Sequence, residues 1–160
     1  MRMVVDGFES DESKFVQQIN NHISTWGLKN THFTSVNGEI EDTVTTGREY
    51  LTIFTNSLKN STLKRVLGMK SYEYTELIDA GRGANHKDVH SNDLMQETDL
   101  PFDIVASKTG YLDESGAMLA MLVKRKTDGK QFVIITMGNP DINNRFEAPR
   151  ALAEWALDKF

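Results

Sequence analysis

No cysteine occurs among the 160 residues, which excludes disulfides, thiolate metal sites and cysteine nucleophiles together. The absence leaves the compartment open, because extracytoplasmic proteins can lack cysteine too. A basic surplus is also missing. Lys and Arg number 18 against 23 Asp and Glu, for a formal net charge of −5, whereas a nucleic-acid groove needs a basic stripe to displace counterions from phosphates. The short runs Lys64-Arg65 and Lys124-Arg125-Lys126 read as solvated faces. Long apolar runs are absent as well: nothing approaches the roughly 20 apolar residues of a membrane span. The opening stretch MRMVVDGFESDESK has an Arg but no apolar segment of signal-peptide length. The chain as given is expected to carry neither export signal nor anchor.

What is present suits one soluble domain. Hydrophobic residues make up 39% and charged residues 26%, which is too apolar for a disordered chain, and the length allows a single compact unit over residues 1–160. Ser10 or Asp11 can cap a first helix, with Phe15, Ile19, Ile23 and Trp26 at helical spacing and Gly27 ending it. Thr31 to Gly38 reads as loop, followed by an acidic turn from Glu39 to Asp42. A second helix starts at Thr45 or Thr46, where Glu49 completes a capping box. A short third helix covers Ser61 to Leu67 and ends at Gly68; Ser71 to Ile78 alternates weakly, as a short extended piece. Asp79 to Leu100 is polar with little periodicity and reads as the longest loop.

The texture then changes. Ile104 to Tyr111, Ala117 to Arg125 and Gln131 to Met137 read as strands, with a tight turn at Thr127-Asp128-Gly129-Lys130. From Asn143 onward Phe146, Ala148, Leu152, Ala153, Trp155, Ala156 and Phe160 form the apolar face of a closing helix. Helices followed by an antiparallel three-stranded meander and a C-terminal helix make the fold class α+β.

Lys108-Thr109-Gly110 sits on the first of those strands, followed by Tyr111, the turn Asp113-Glu114-Ser115-Gly116, the hairpin, Gly138 and the helix from Phe146 to Trp155. Upstream stand Phe15 through Asn20, then Gly27-Leu28-Lys29-Asn30-Thr31-His32-Phe33, Gly38, and Thr45-Thr46-Gly47-Arg48-Glu49. Together these stretches resemble the D-alanyl-D-alanine carboxypeptidases, the low-molecular-mass penicillin-binding proteins of the serine peptidase class, over nearly the whole chain.

The resemblance implies part of a penicillin-binding-protein or β-lactamase-like domain, without a cofactor, acting on D-Ala-D-Ala-ending peptidoglycan peptides in the bacterial cell envelope and binding β-lactams. In such a site Lys108 supplies positive potential for a substrate carboxylate or a deprotonated serine. Thr109 hydrogen-bonds that carboxylate, and Gly110 leaves the groove unobstructed. The strand edge can pair with an extended peptide, and the resemblance makes the Tyr111 backbone N–H one of two oxyanion-hole donors. His90-Ser91-Asn92-Asp93-Leu94 resembles the family's polar stretch beside the groove, which makes Ser91 and Asn92 further substrate-binding candidates.

The family's nucleophile belongs to a Ser-x-x-Lys motif and its companion to Ser-x-Asn, both normally ahead of the residues matching Phe15; this chain starts too late for either. No catalytic residue is therefore assigned, and the chain alone is expected to be inactive. Ser61-Thr62-Leu63-Lys64 has the first pattern, but Ser61 serves equally well as an N-cap, so Ser61 and Lys64 are read as decoys. Ser35-Val36-Asn37 has the second pattern and reads as a turn. His86, Asp88 and His90 would form a metal site only on a helix, and the segment lacks helical periodicity; no metal is expected. His32 and the methionines Met118, Met121 and Met137 are expected to be packing residues.

Three functional readings follow. The chain is the C-terminal portion of a serine D-Ala-D-Ala carboxypeptidase, or a non-catalytic binding or regulatory pseudoenzyme module, or a rearranged enzyme using Ser61 and Lys64. Missing strands and a missing helix would leave apolar faces open, which predicts a homo-oligomer or a complementing N-terminal segment.

Overall fold

The computed structural model describes residues 11–38, 42–78 and 81–160. Ser10 and the acidic turn at Glu39, Ile40 and Glu41 lie outside them. The chain forms two compact units, one reaching to Asn56 and including Leu112–Glu114, the other made of Ser57–Tyr111 and Ser115–Phe160.

In the first unit, α1 spans Glu12–Ser24, and Asp11 caps it by accepting the Ser13 N–H at 3.0 Å. Gly27 follows with φ +76, a backbone conformation that glycine adopts without steric cost and that stops the helix. Asn20 holds the returning chain with both ends of its amide, donating to Phe33 O at 2.7 Å and accepting from Phe33 N at 2.8 Å. An isolated bridge pairs His32 with Val44. His32 itself is exposed, contrary to the packing role expected of it; its backbone, not its ring, makes the fold's contacts.

Helix α2 spans Gly47–Ser57. Thr46 Oγ1 accepts the Glu49 N–H at 3.2 Å, which is half of the expected capping box. The other half is absent because the Glu49 carboxylate is taken up elsewhere. It accepts from Lys29 N, Asn30 N and Asn30 Nδ2, and from the Thr31 hydroxyl at 2.6 Å. Those donors hold its carboxyl below the usual range, with the Thr31 hydroxyl the largest contributor. Ile23, Leu28 and Phe54 are buried in this unit.

The second unit opens with α3, Ser61–Leu67. Its N-cap is Asn60, whose side chain accepts from Leu63 N at 3.0 Å, so Ser61 is the first helical residue rather than the cap. Two strands follow, β1 at Ser71–Ile78 and β2 at Gly81–Val89, paired antiparallel from Ser71↔Val89 to Ile78↔Gly81. Of the expected loop from Asp79 to Leu100, the stretch Gly81–Val89 is therefore a strand. It escaped the sequence pattern because β2 buries almost nothing: it forms by pairing with β1 and not by covering a core. A 3-10 helix at Asp93–Gln96 carries the chain into the main sheet.

That sheet contains β3 (Phe102–Leu112), β4 (Gly116–Arg125) and β5 (Gln131–Asn139) in the order β3-β4-β5. Closing the unit is α4, Glu147–Lys159, which lies chiefly over β5. The core gathers Leu94, Leu100, Phe102, Leu119, Met121, Val123 and Ile134 against Ala153, Ala156 and Leu157 of α4. Met121 is wholly buried as expected, but Met137 is 39% exposed on β5 and fills no core.

Two glycines fix close approaches. A Cβ on Gly68, at the end of α3, would stand 2.5 Å from Val105 O of β3, so the helix end can touch the strand only without a side chain. Gly116 has φ +67 and the Asn139 carbonyl oxygen 2.7 Å from where its Cβ would be, which lets β5 return beside the start of β4.

Candidate functional site

Alternation along β3 sends Ser107, Thr109 and Tyr111 to one face and Lys108 and Gly110 to the other. The first face meets the segment 90–92. Asn92 Nδ2 donates to Ser107 Oγ at 2.8 Å, and one step along, Ser91 Oγ lies 2.6 Å from Thr109 Oγ1. Successive loop residues thus meet successive same-face residues of the strand.

The loop is braced from behind. Asn92 N donates to His90 Nδ1 at 3.0 Å, so Nδ1 carries no proton; the imidazole proton sits on Nε2 and is donated to Ser107 O at 3.2 Å. His90 N donates to Lys70 O at 2.9 Å. Asn92 caps the 3-10 helix by accepting Leu94 N at 3.2 Å, and both Asn92 and Ser107 have no exposed surface. The buried hydrogen bonds hold the backbone, and the exposed Ser91 hydroxyl is carried on top of them.

Lys108 is exposed and its ammonium donates to the Thr109 carbonyl oxygen. A Cβ on Gly110 would meet nothing closer than Met118 Cε at 3.5 Å. The chain's own packing therefore does not demand glycine there. Tyr111 is 41% exposed.

One further residue joins the cluster that the sequence did not single out. Arg145 Nη2 donates to Ser91 O at 3.3 Å, and its guanidinium lies over the Phe146 ring at 4.7 Å. Asp141 presents it: the carboxylate accepts from Asn143 N at 2.9 Å and from Asn144 Nδ2 at 2.8 Å, making a tight polar turn just ahead of Arg145. The Lys108 ammonium is thus on the Thr109 carbonyl oxygen and the Arg145 guanidinium on the Ser91 carbonyl oxygen, at the two residues whose hydroxyls meet, and among the described residues no carboxylate is bonded to either cation. Such an arrangement suits a carboxylate or similar small anion.

The other sequence candidates fall elsewhere. Ser61 and Lys64 share the first turn of α3, and among the described residues no hydrogen bond joins them. Ser35 is buried and accepts the Gly38 N–H at 3.1 Å, which is a turn contact. His86 lies on β2, not on a helix; it meets Glu76 Oε1 at 2.8 Å and stacks on Tyr74 at 5.0 Å. A cavity of about 390 Å³ opens beside His90, between Arg65 and Val66 of α3, Met69 just after it, and the ends of β1 and β2. None of Ser91, Asn92 or Lys108–Tyr111 lines it.

A family model described as D-alanyl-D-alanine carboxypeptidase matches residues 6–141. Among solved structures the chain is similar to a D-alanyl-D-alanine carboxypeptidase from Mycobacterium tuberculosis, at 18% identity and TM-score 0.74 over 98% of this chain and 58% of that one. It is also similar to an evolved putative penicillin-binding protein homolog from the same organism, at 19% identity and TM-score 0.70 over 96% of this chain and 58% of that one. A variant of the Streptomyces K15 DD-transpeptidase aligns at 22% identity and TM-score 0.79 over 92% of this chain and 55% of that one. Identities this low show the shared fold, a penicillin-binding-protein-like α+β domain. The chain spans little more than half the length of these structures. No curated protein matches it in sequence.

Proposed function

The chain belongs to the D-alanyl-D-alanine carboxypeptidase family, and from that premise we propose that it supplies the carboxylate-recognising half of a serine D,D-peptidase site without the acylating half. The observation that carries this reading is the Thr109 hydroxyl, set 2.6 Å from the Ser91 hydroxyl, with Lys108 bonded to the Thr109 carbonyl oxygen, Arg145 bonded to the Ser91 carbonyl oxygen and, among the described residues, no carboxylate on either cation.

A peptide ending in D-Ala-D-Ala brings one carboxylate. It accepts from the Thr109 hydroxyl, and Ser91 turns its own proton toward the same oxygen pair. Lys108 and Arg145 supply the positive potential, and Gly110 leaves the strand face clear for the terminal residue. The Tyr111 N–H is the oxyanion donor that this strand contributes to an acyl-transfer step. The step itself needs a serine and a lysine base of the Ser-x-x-Lys type, and Ser61 with Lys64 does not supply them, because the pair shares no hydrogen bond and stands on α3. Hydrolysis of stem peptides in the cell envelope accordingly belongs to an assembly in which another segment provides the nucleophile. By itself the chain is a binding module for D-Ala-D-Ala peptides and β-lactams.

The test is a titration of the chain with a D-Ala-D-Ala tripeptide, followed by NMR. Weak saturable binding with a Kd on the order of 1 mM is expected, with shifts at Ser91, Thr109 and Tyr111. Lys108→Ala and Arg145→Ala should each weaken it by about tenfold or more. Absence of shifts at a saturating peptide concentration, or binding indifferent to both substitutions, sinks the reading.

A further inference from the structure

Ser91 stands between two anchored residues. His90 N donates to Lys70 O at 2.9 Å, and the Asn92 side chain, with no exposed surface, is held on Ser107 Oγ at 2.8 Å. The bond that closes the backbone across Ser91 is made to a ring: Asn92 N donates to His90 Nδ1 at 3.0 Å. This is the geometry of an Asx turn with an imidazole nitrogen as the acceptor, since Nδ1 sits on Cγ just as Oδ1 does in asparagine. The other ring nitrogen donates to Ser107 O at 3.2 Å, so one imidazole ties the turn to the strand that carries Thr109.

An imidazole differs from an amide oxygen in one respect: it can take up a proton. Neutral, it offers one acceptor and one donor, and this turn uses both. With a second proton both nitrogens are donors, and Nδ1–H then points at the Asn92 N–H. Two donors cannot share that bond. The contact with Ser107 O survives, because Nε2 keeps its proton, and the Asn92 side chain keeps its partners. The change therefore falls on the residue between them, which is Ser91.

We propose that His90 is the positioning residue for the Ser91 hydroxyl, and that it releases that hydroxyl from Thr109 when its ring gains the second proton. For its ligand the proposal rests on the reading of the β3 site given above; the turn itself is independent of that reading. Arg65 of α3, Tyr72 of β1 and Asp88 of β2 line the cavity beside His90. Lys70 meets it through its carbonyl oxygen, Asp93 opens the 3-10 helix beyond Asn92, and Arg145 lies on Ser91 O. Lys108 follows Ser107 on the opposite face of β3. Among the described residues none of these side chains is bonded to the ring, so the turn is what registers its proton. A charged imidazole also adds positive potential near a bound carboxylate, which acts in the opposite sense. That field is screened at a half-buried ring, whereas the lost bond undoes the placement of a donor. The two effects differ in sign, and a pH profile separates them.

The test is NMR titration with an N-acetylated tripeptide ending in D-Ala-D-Ala, at steps from about pH 8 to about pH 5, the range in which histidine changes charge. Acetylation removes the peptide's own amine from that range. Binding should weaken by about fivefold toward acid, the worth of one hydrogen bond. In the free chain the Ser91 and Asn92 amide shifts should move with the same midpoint as the His90 ring protons. His90→Ala, which has no acceptor, should bind weakly throughout. His90→Asn keeps an acceptor and does not titrate; it should recover most of the binding that His90→Ala loses and hold it unchanged across the range, although His22, His32 and His86 are still present. Binding that is flat or tighter in acid overturns the proposal, as does a loss that His90→Asn retains. Loop amides that stay still while the ring titrates, or a ring that does not titrate in this range, overturn it even where the variants misfold. A peptide that fails to bind at pH 8 sinks the reading of the site instead, and the free-chain amide shifts then still decide whether His90 governs the turn.

Discussion

Asn92 exposes no surface and spends both ends of its amide, one on Ser107 Oγ and the other on the Leu94 N–H. Truncation removes a cap and strands a buried serine hydroxyl, and an unsatisfied buried group costs its desolvation. Asn92→Ala is therefore expected to lower stability by about 2–3 kcal/mol, read as a lower urea midpoint at unchanged slope. Ser91→Ala, at an exposed hydroxyl, should move the midpoint little while weakening peptide binding. A Ser91 variant that melted like the Asn92 variant would mean that the Ser91–Thr109 contact braces the fold and not the ligand. Asp128 offers a second test at this scale. The Arg125 guanidinium, followed by the Lys130 backbone N–H, draws its carboxyl down from 3.8 to about 2. A depressed carboxyl contributes stability above its unfolded value and loses it as pH falls toward the folded one. The melting temperature of the native chain should therefore drop between roughly pH 4 and pH 2 more steeply than that of Asp128→Asn, measured at low salt because the pair is exposed. Parallel curves would show that the ion pair adds nothing to the β4–β5 turn.

Among the elements, Gly68 is where helix and site strand touch. A methyl group there meets Val105 O at 2.5 Å, and a carbonyl oxygen in a sheet cannot swing aside as a side chain can. Gly68→Ala should cost about 1–3 kcal/mol as the end of α3 is forced off β3, seen as a lower urea midpoint. If it is neutral, the helix end moves freely and does not help to place the strand. Legibility in the sequence followed the same physics of burial. α1 and β3 to β5 were readable because their apolar residues repeat with the period of the element and cover a core, whereas α3 buries no residue and was marked by Gly68 at its end. β2 was not, because GRGANHKDV lies exposed on both faces and is defined by its partner strand. Glu49 was picked out correctly as a helix-start residue, yet its carboxylate serves Lys29 to Thr31, a contact across distant sequence that no local pattern encodes. In the site, Lys108-Thr109-Gly110 and Ser91-Asn92 stood out through resemblance. Arg145 did not, since an isolated arginine in a polar turn carries no signal until the chain's return sets it on Ser91 O.

For the whole molecule, the decisive question is whether recognition of the substrate carries chemistry with it. Acylation by a β-lactam needs a nucleophile, a base within hydrogen-bonding reach and an oxyanion hole. Of these the β3 strand is proposed to offer a donor and a charge, while the Ser-x-x-Lys pattern at Ser61 stands exposed on a seven-residue helix without a bond to Lys64. Loss of a nucleophile costs several orders of magnitude in rate, with only binding and oxyanion stabilisation left over. A folded sample incubated with a reactive penicillin should therefore keep its unmodified intact mass over hours, even at concentrations at which the drug binds reversibly and shifts Thr109. Slow, scattered modification of lysines would be ordinary penicilloylation of amines and would not depend on Lys108. A stoichiometric adduct on one serine would be different in kind. If it mapped to Ser61 and vanished in Ser61→Ala, the rearranged-enzyme reading would replace the binding-module reading, because a complete acylation site would then exist within these 160 residues.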